Sequence, residues 1–148
     1  MPKILFPDGR TQSFEKEITG FVIAESISKS LLKKAVAISV NGKQKDLCDI
    51  ITEDAEINII TKDSDEGLEI MRHTLTAQVL AKAIKTKYPK AKLAIGPTIE
   101  NGFYYDVLFE KPISIDDFPA IEKEMKNIIK KGSRIEKSYK DKNQVIEL

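Results

Sequence analysis

Val36, Ile38 and Val40 alternate with the smaller Ala35, Ala37 and Ser39, and the run stops at Asn41-Gly42. A period of two is what a half-buried strand requires, and Asn-Gly is the strongest two-residue hairpin signal. The chain therefore has to turn back at 41–42, with Lys43-Gln44-Lys45-Asp46-Leu47 as the returning strand. Upstream, Lys3-Ile4-Leu5-Phe6 and Thr11-Gln12-Ser13-Phe14 flank Pro7-Asp8-Gly9-Arg10, which has Pro and Gly where a turn uses them. Between the hairpins, Ile23, Ile27 and Leu31 recur every four residues with Ala24 alongside, which predicts one helix face. Glu56-Ile57-Asn58-Ile59-Ile60-Thr61 reads as a closing strand.

Two strands, a helix and further strands within residues 1–62 predict an α+β roll with the helix across a mixed sheet, in β-grasp, ubiquitin-like order. Charge marks the division that follows. Residues 1–62 hold nine basic and nine acidic side chains, but between Glu69 and Glu100 there are six basic residues and no acidic one. From Lys123 to Lys142 eight basic residues stand against Glu124, Glu136 and Asp141. The short acidic segment 63–67 reads as a linker. Residues 67–88 then carry Leu68, Met71, Leu75, Val79, Leu80, Ala83 and Ile84 at helical period, with Pro89 as the stop. A strand over 92–95, a turn over 96–102 and a strand over 103–109 follow. Asp116-Asp117-Phe118-Pro119 opens another helix with Asp as N-cap. Its apolar face comprises Phe118, Ile121, Met125 and Ile128 or Ile129. Residues 135–148 are basic and weakly patterned.

Several classes of function fall away. The longest apolar runs are far shorter than the roughly 20 residues of a membrane span, and residues 1–9 lack the apolar core of a signal peptide. One cysteine, Cys48, excludes an internal disulfide, and the bland reading makes it a buried thiol on a strand. With a single histidine, a zinc site held by this chain would need several carboxylates, so no metal ligands are assigned. The expectation is a soluble cytoplasmic protein with no membrane partner. No GxxxxGK[ST], GxGxxG or GxSxG pattern occurs. His73 has Thr76 and Ala77 at i+3 and i+4; a lone helical histidine is first a surface or structural residue. Lysine runs are first a solvated face.

Two groups of residues resemble known families. Pro7-Asp8-Gly9 with Val40-Asn41-Gly42-Lys43 makes residues 1–62 resemble the TGS domain, a β-grasp module. Ile70-Met71-Arg72-His73, Leu80-Ala81-Lys82-Ala83-Ile84 and residues 94–106, Ala-Ile-Gly-Pro-Thr-Ile-Glu-Asn-Gly-Phe-Tyr-Tyr-Asp, resemble the start of the editing domain of the bacterial threonyl-tRNA synthetase family. The resemblance implies a ligase that charges threonine onto its tRNA with ATP, and a domain that hydrolyses mis-attached serine. Serine lacks only a methyl group, which supports roughly 10–200-fold discrimination in binding.

The resemblance assigns His73 to editing, Gln78, Gly96 and Tyr105 to the pocket, and Lys82, Lys85 and Lys87 to the tRNA backbone near the acceptor end. Two departures accompany it. The family's helix carries His-x-x-x-His, whereas Ala77 stands four residues after His73, and Gln78 aligns with the second histidine across one extra residue. In a regular helix residues five apart diverge by about 140°; a π-bulge would absorb the extra residue and bring them together. Glutamine offers hydrogen bonds but no base near neutral pH. The family's later Cys-x-x-x-His is also missing. The expectation is thus an N-terminal piece, with a TGS domain at 1–62, a linker at 63–67 and a truncated editing domain at 68–148. It would be inactive alone and hold no cofactor. ATP, magnesium, zinc and a homodimer contact would belong to absent domains of the parent enzyme. The rival readings are a freestanding editing hydrolase and a TGS adaptor that binds RNA or protein; TGS modules also occur in GTPases and nucleotide synthetases.

Overall fold

A computed structural model describes residues 1–15 and 17–146; positions 147–148, the last two of the expected editing segment, lie outside the described residues. The chain opens with β1 (Lys3–Leu5), β2 (Thr11–Ser13) and β3 (Ile18–Thr19), then α1 (Gly20–Ile27) and α2 (Lys29–Lys34). β4 (Ala35–Val40), β5 (Lys43–Lys45), β6 (Ile50–Ile51) and β7 (Ala55–Thr61) follow. One five-stranded sheet has the order β2-β1-β7-β4-β5. Only the β1–β7 pair in it is parallel, with Ile4 opposite Ala55, so the sheet is mixed. The expected turn at 41–42 forms: Asn41 and Gly42 both have positive φ, 50° and 76°, as a type I′ hairpin needs. Asn41 Oδ1 also accepts from the Glu56 amide at 2.9 Å, tying the turn to the central strand.

α1 lies across one face of this sheet. Ile4, Ile23, Ile38 and Ile57 are fully buried there, with Phe6 and Leu47 beside them. The single helix expected over Ile23, Ile27 and Leu31 is instead two. Ser28 ends α1 by donating its amide to the Ala24 carbonyl and starts α2 by accepting from the Leu31 amide on its hydroxyl at 3.0 Å. Ile27 is consequently exposed. Cys48 is not a buried strand thiol. It is exposed, in a turn closed by the Asp49 amide on the Asp46 carbonyl at 3.0 Å, while its neighbour Leu47 plugs the core.

The junction is short and tight. Of residues 63–67, expected as a linker, Asp65–Gly67 form the first turn of α3 (Asp65–Thr74), capped by the Ser64 hydroxyl. Gly67 is buried against the end of β7, where a Cβ would lie 1.8 Å from the Thr61 carbonyl oxygen. Lys34 and Asp63 pair at 2.8 Å across the junction. Each strengthens the other's charged form: the hydrogen bond lowers the Asp63 pKa and raises that of Lys34.

The long helix runs on from α3 through a π-helical segment, Leu75–Leu80, into α4 (Ala81–Lys87). The bulge needed to absorb an extra residue is there, closed by the Ala81 amide on the Thr76 carbonyl, five residues back. Ala83 and Ile84 are buried, whereas Leu68 and Met71, part of the same apolar stripe, remain exposed. The strand-turn-strand expected next is one hairpin in two ladders. β8 (Lys92–Leu93) pairs with β11 (Val107–Leu108), and β9 (Thr98–Ile99) pairs with β10 (Gly102–Phe103). A 3-10 turn, Ile115–Asp117, leads into α5 (Phe118–Lys131). Asp117 stands at the expected N-cap position of α5 but its side chain makes no capping bond to that helix; its carboxylate instead completes a capping box with Ser114, which caps the 3-10 turn. Ile121 of α5 packs on Ala83, Ile84 and Ala91 in a second core, with Met125 and Ile128 at its edge; Ile129 is exposed. α6 (Lys142–Ile146) is a short terminal helix.

Candidate functional site

Two of the three residues assigned to the pocket, Gly96 and Tyr105, meet where the helix crosses the hairpin. Thr76 is fully buried, and its hydroxyl donates to the Arg72 carbonyl at 2.8 Å, a backward bond that favours local distortion of a helix. Its methyl group faces Gly96. A Cβ at Gly96 would lie 2.6 Å from Thr76 Cγ2 and 2.1 Å from Tyr105 Cδ2, so only glycine lets helix, loop and tyrosine ring close together. From the turn before, Arg72 Nη1 donates to the Glu100 carbonyl at 2.8 Å and ties the helix to the β9–β10 turn.

Gly96 and Tyr105 thus come together, and Thr76 and Arg72 join them, two residues to which the sequence reading gave no role. Thr76 had one signal, its place at i+3 from His73. Arg72 had none beyond lying beside His73. His73, Ala77 and Gln78 are exposed on the outer side of the π segment, and neither His73 nor Gln78 bonds another side chain among the described residues. A π turn takes roughly one residue more than an α turn, and full π winding narrows the divergence of residues five apart from about 140° to about 50°. The three assigned lysines fare differently. Lys82 and Lys87 are exposed on α4. Lys85 Nζ instead donates to the carbonyls of Pro89 and Ala91, the latter at 3.1 Å, closing the loop after α4.

Two clefts adjoin this region. An apolar one of about 580 Å³ is lined by Leu80, Ile84, Phe103, Tyr105, Phe118 and Met125. A second, of about 780 Å³, lies beyond Tyr88, whose ring meets Phe109 edge-on at 5.2 Å and whose hydroxyl donates to Asp117 Oδ1 at 3.4 Å. Burial, then the Asp117 charge, pushes the Tyr88 phenol above its ordinary pKa. Neither cleft is lined by a serine, cysteine or histidine among the described residues.

Asp46, Cys48 and Asp49 are the one group of three metal-ligating side chains found among the described residues. It does not suit zinc: Lys137 Nζ already sits 2.7 Å from both Asp46 Oδ2 and Asp49 Oδ1, and no histidine joins them. The ammonium holds the Asp49 carboxyl below its usual range, and the two carboxylates raise the Lys137 pKa.

The mixed sheet, its crossing helix and the turn at 41–42 agree with a family model that matches residues 2–61, the TGS domain. Beyond that domain, similarity continues along most of the chain. Threonine–tRNA ligase 2 of Bacillus subtilis is 50% identical over 145 residues, 96% of this chain and 23% of that protein. The threonine–tRNA ligase of Rickettsia typhi is 43% identical over 99% of this chain and 23% of its own length. Threonine–tRNA ligase 1 of Bacillus subtilis is 52% identical over 87% of this chain. The chain therefore spans about a fifth of the length of the relatives it matches. Similarity that runs through the TGS domain into α5 covers the π segment and the Gly96–Tyr105 contact. Among the described residues no helix is long and apolar enough to cross a membrane.

Proposed function

We propose that this chain serves a threonine–tRNA ligase, as the region beside the acceptor end of the tRNA. The observation that carries the reading is similarity over 96–99% of the chain, through both cores, to proteins named for that activity; a TGS domain alone would match only residues 2–61. Within this reading, residues 68–148 supply one wall of the proofreading site that removes mis-attached serine. His73 and Gln78 face the acceptor end, and Gly96 and Tyr105 shape the pocket behind them. Glutamine can hold a water or a ribose hydroxyl but takes no proton near pH 7, so any base must come from His73 or from groups outside these residues. ATP, magnesium and zinc act outside them as well, because the residues present offer no phosphate loop and no zinc ligand set.

The test uses an antibody raised to residues 1–148. In source cells it should detect a polypeptide several times larger than 16.6 kDa, and the immunoprecipitate should charge tRNA with threonine. A band at 16.6 kDa without threonylation would sink the ligase reading in favour of a TGS adaptor. Hydrolysis of serine-charged tRNA by the 148-residue chain alone would favour a freestanding hydrolase.

A further inference from the structure

Thr76 is the one buried polar side chain among the described residues, and both of its branches are committed. Its hydroxyl donates to the Arg72 carbonyl at 2.8 Å, and its methyl group lies under Gly96, where a Cβ would come within 2.6 Å. The Arg72 carbonyl also shares the Leu75 amide with the Met71 carbonyl, so regular winding already falters one residue before Thr76. Arg72 is held at its far end as well, by Nη1 on the Glu100 carbonyl at 2.8 Å. The last turn of α3 is therefore pinned to the hairpin at two points, and α4 is pinned by buried Ala83 and Ile84 in the second core.

Between two fixed ends, a surplus residue has to be taken up somewhere along the helix, and the place decides which side chains share a face. Absorbed between His73 and Gln78, it narrows their divergence from about 140° toward about 50°. Absorbed after Gln78, it would leave them on different sides. Leu75, Ala77, Gln78 and Leu80 are good helix formers that would wind regularly. A threonine bonding four residues back loosens the helix at its own turn, and the π segment begins at that turn.

We propose that Thr76 is a positioning residue: its buried hydroxyl, held on the Arg72 carbonyl, fixes the π turn between His73 and Gln78 and so sets these two side chains on one face. This rests on the reading that residues 68–148 supply a proofreading wall, with His73 and Gln78 toward the acceptor end. Thr76 is fully buried and touches no substrate in that arrangement; it acts through the helix. A packing role alone, filling the space under Gly96, needs only the methyl group. The hydroxyl separates the two roles.

His73 is the only histidine in the sequence, which supplies a ruler. Two histidines on one helix face hold zinc together, as those four apart do in a regular helix; two on different sides do not. The experiment titrates the 148-residue chain carrying Gln78→His with Zn²⁺ and follows the imidazole resonances by NMR. Zinc should bind at least about tenfold more tightly than to the wild type, with both rings shifting together. Adding Thr76→Val, which keeps the shape and removes the hydroxyl, should return the affinity to within about twofold of the wild type. Adding Thr76→Ser, which keeps the hydroxyl and removes the methyl, should preserve the gain. Thermal melts check that each variant is folded. An undiminished gain with Thr76→Val would overturn the role of the hydroxyl, and so would an equal loss with Thr76→Ser. No gain from Gln78→His, or a gain in which one ring alone shifts, would overturn the shared face. Each of these failures leaves the ligase reading standing, which threonylation by the immunoprecipitated protein tests separately.

Discussion

Gly96 is the position where one added carbon should do most damage. The Cβ would sit 2.1 and 2.4 Å from two carbons of the Tyr105 ring and 2.6 Å from the Thr76 methyl. Thr76 has no room to retreat because it is fully buried. Gly96→Ala should therefore cost about 1–3 kcal/mol in urea denaturation, and Gly96→Ala combined with Tyr105→Ala should recover part of it. A second residue-scale expectation concerns Asp49. Its carboxylate is held by Lys137 and so titrates below the ordinary value of about 3.9. A depressed carboxylate pKa contributes stability that is full above the unfolded value and lost as pH falls through the folded one. The Lys137 contact should therefore persist at neutral pH and fail only below about pH 4. Carbon-detected NMR of Asp49 should show the low midpoint, and Lys137→Gln should return it toward the ordinary value. The resemblance to a known pattern singles out Gly96 and Tyr105 together, and the structure packs the two against each other. Cys48 was misread because Leu47, one residue earlier, is the buried member of a turn that looks in sequence like the continuation of β5. Lys137 gave no signal at all, since its partners lie 91 and 88 residues away, at Asp46 and Asp49.

At the scale of elements, the π segment is the clearest consequence of a single position. If Leu75–Leu80 is wound as a π turn because the helix carries one residue too many, then deleting Ala77 should return it to α geometry with α3 and α4 still in place. Thermal stability should change by less than about 1 kcal/mol, because bulges absorb insertions locally and Ala77 is exposed. Through-hydrogen-bond NMR couplings should show the Ala81 amide bonded to a carbonyl four residues back rather than five. The resemblance, with its one extra residue, left a bulge open as one of two alternatives; its bounds were not legible, because Thr76 bonding to Arg72 is a matter of burial that the sequence does not announce. The break between α1 and α2 was missed for a related reason. Periodicity at Ile23, Ile27 and Leu31 described one helix, but Ser28 can cap, and its hydroxyl takes the Leu31 amide. Ser28→Ala should lose about 0.5–2 kcal/mol by thermal melt, with Ser28→Asn costing much less.

Over the whole molecule, two apolar clusters share no residue. The TGS core has fully buried Ile4, Ile23, Ile38 and Ile57, whereas the second depends on Ala83, Ile84, Ala91 and Ile121 with a fringe of half-buried side chains. Hydrogen exchange should therefore be slower at β4 and β7 than at β8 and β11, by at least about tenfold, which corresponds to about 1.4 kcal/mol of local stability. Charge and turn signals set residues 1–62 apart from those that follow; the close seating of Gly67 on Thr61 was not legible, since a glycine in an acidic stretch reads as flexible spacing. One pairing also sets a timetable. β1 lies beside β7 with Ile4 opposite Ala55, so β1 leaves the ribosome some fifty residues ahead of its parallel neighbour. At about 5–20 residues per second that is a wait of about 3–10 s. Until β7 has cleared the ribosome, Ile4 and Phe6 are an exposed edge available to chaperones, and the mixed sheet cannot close.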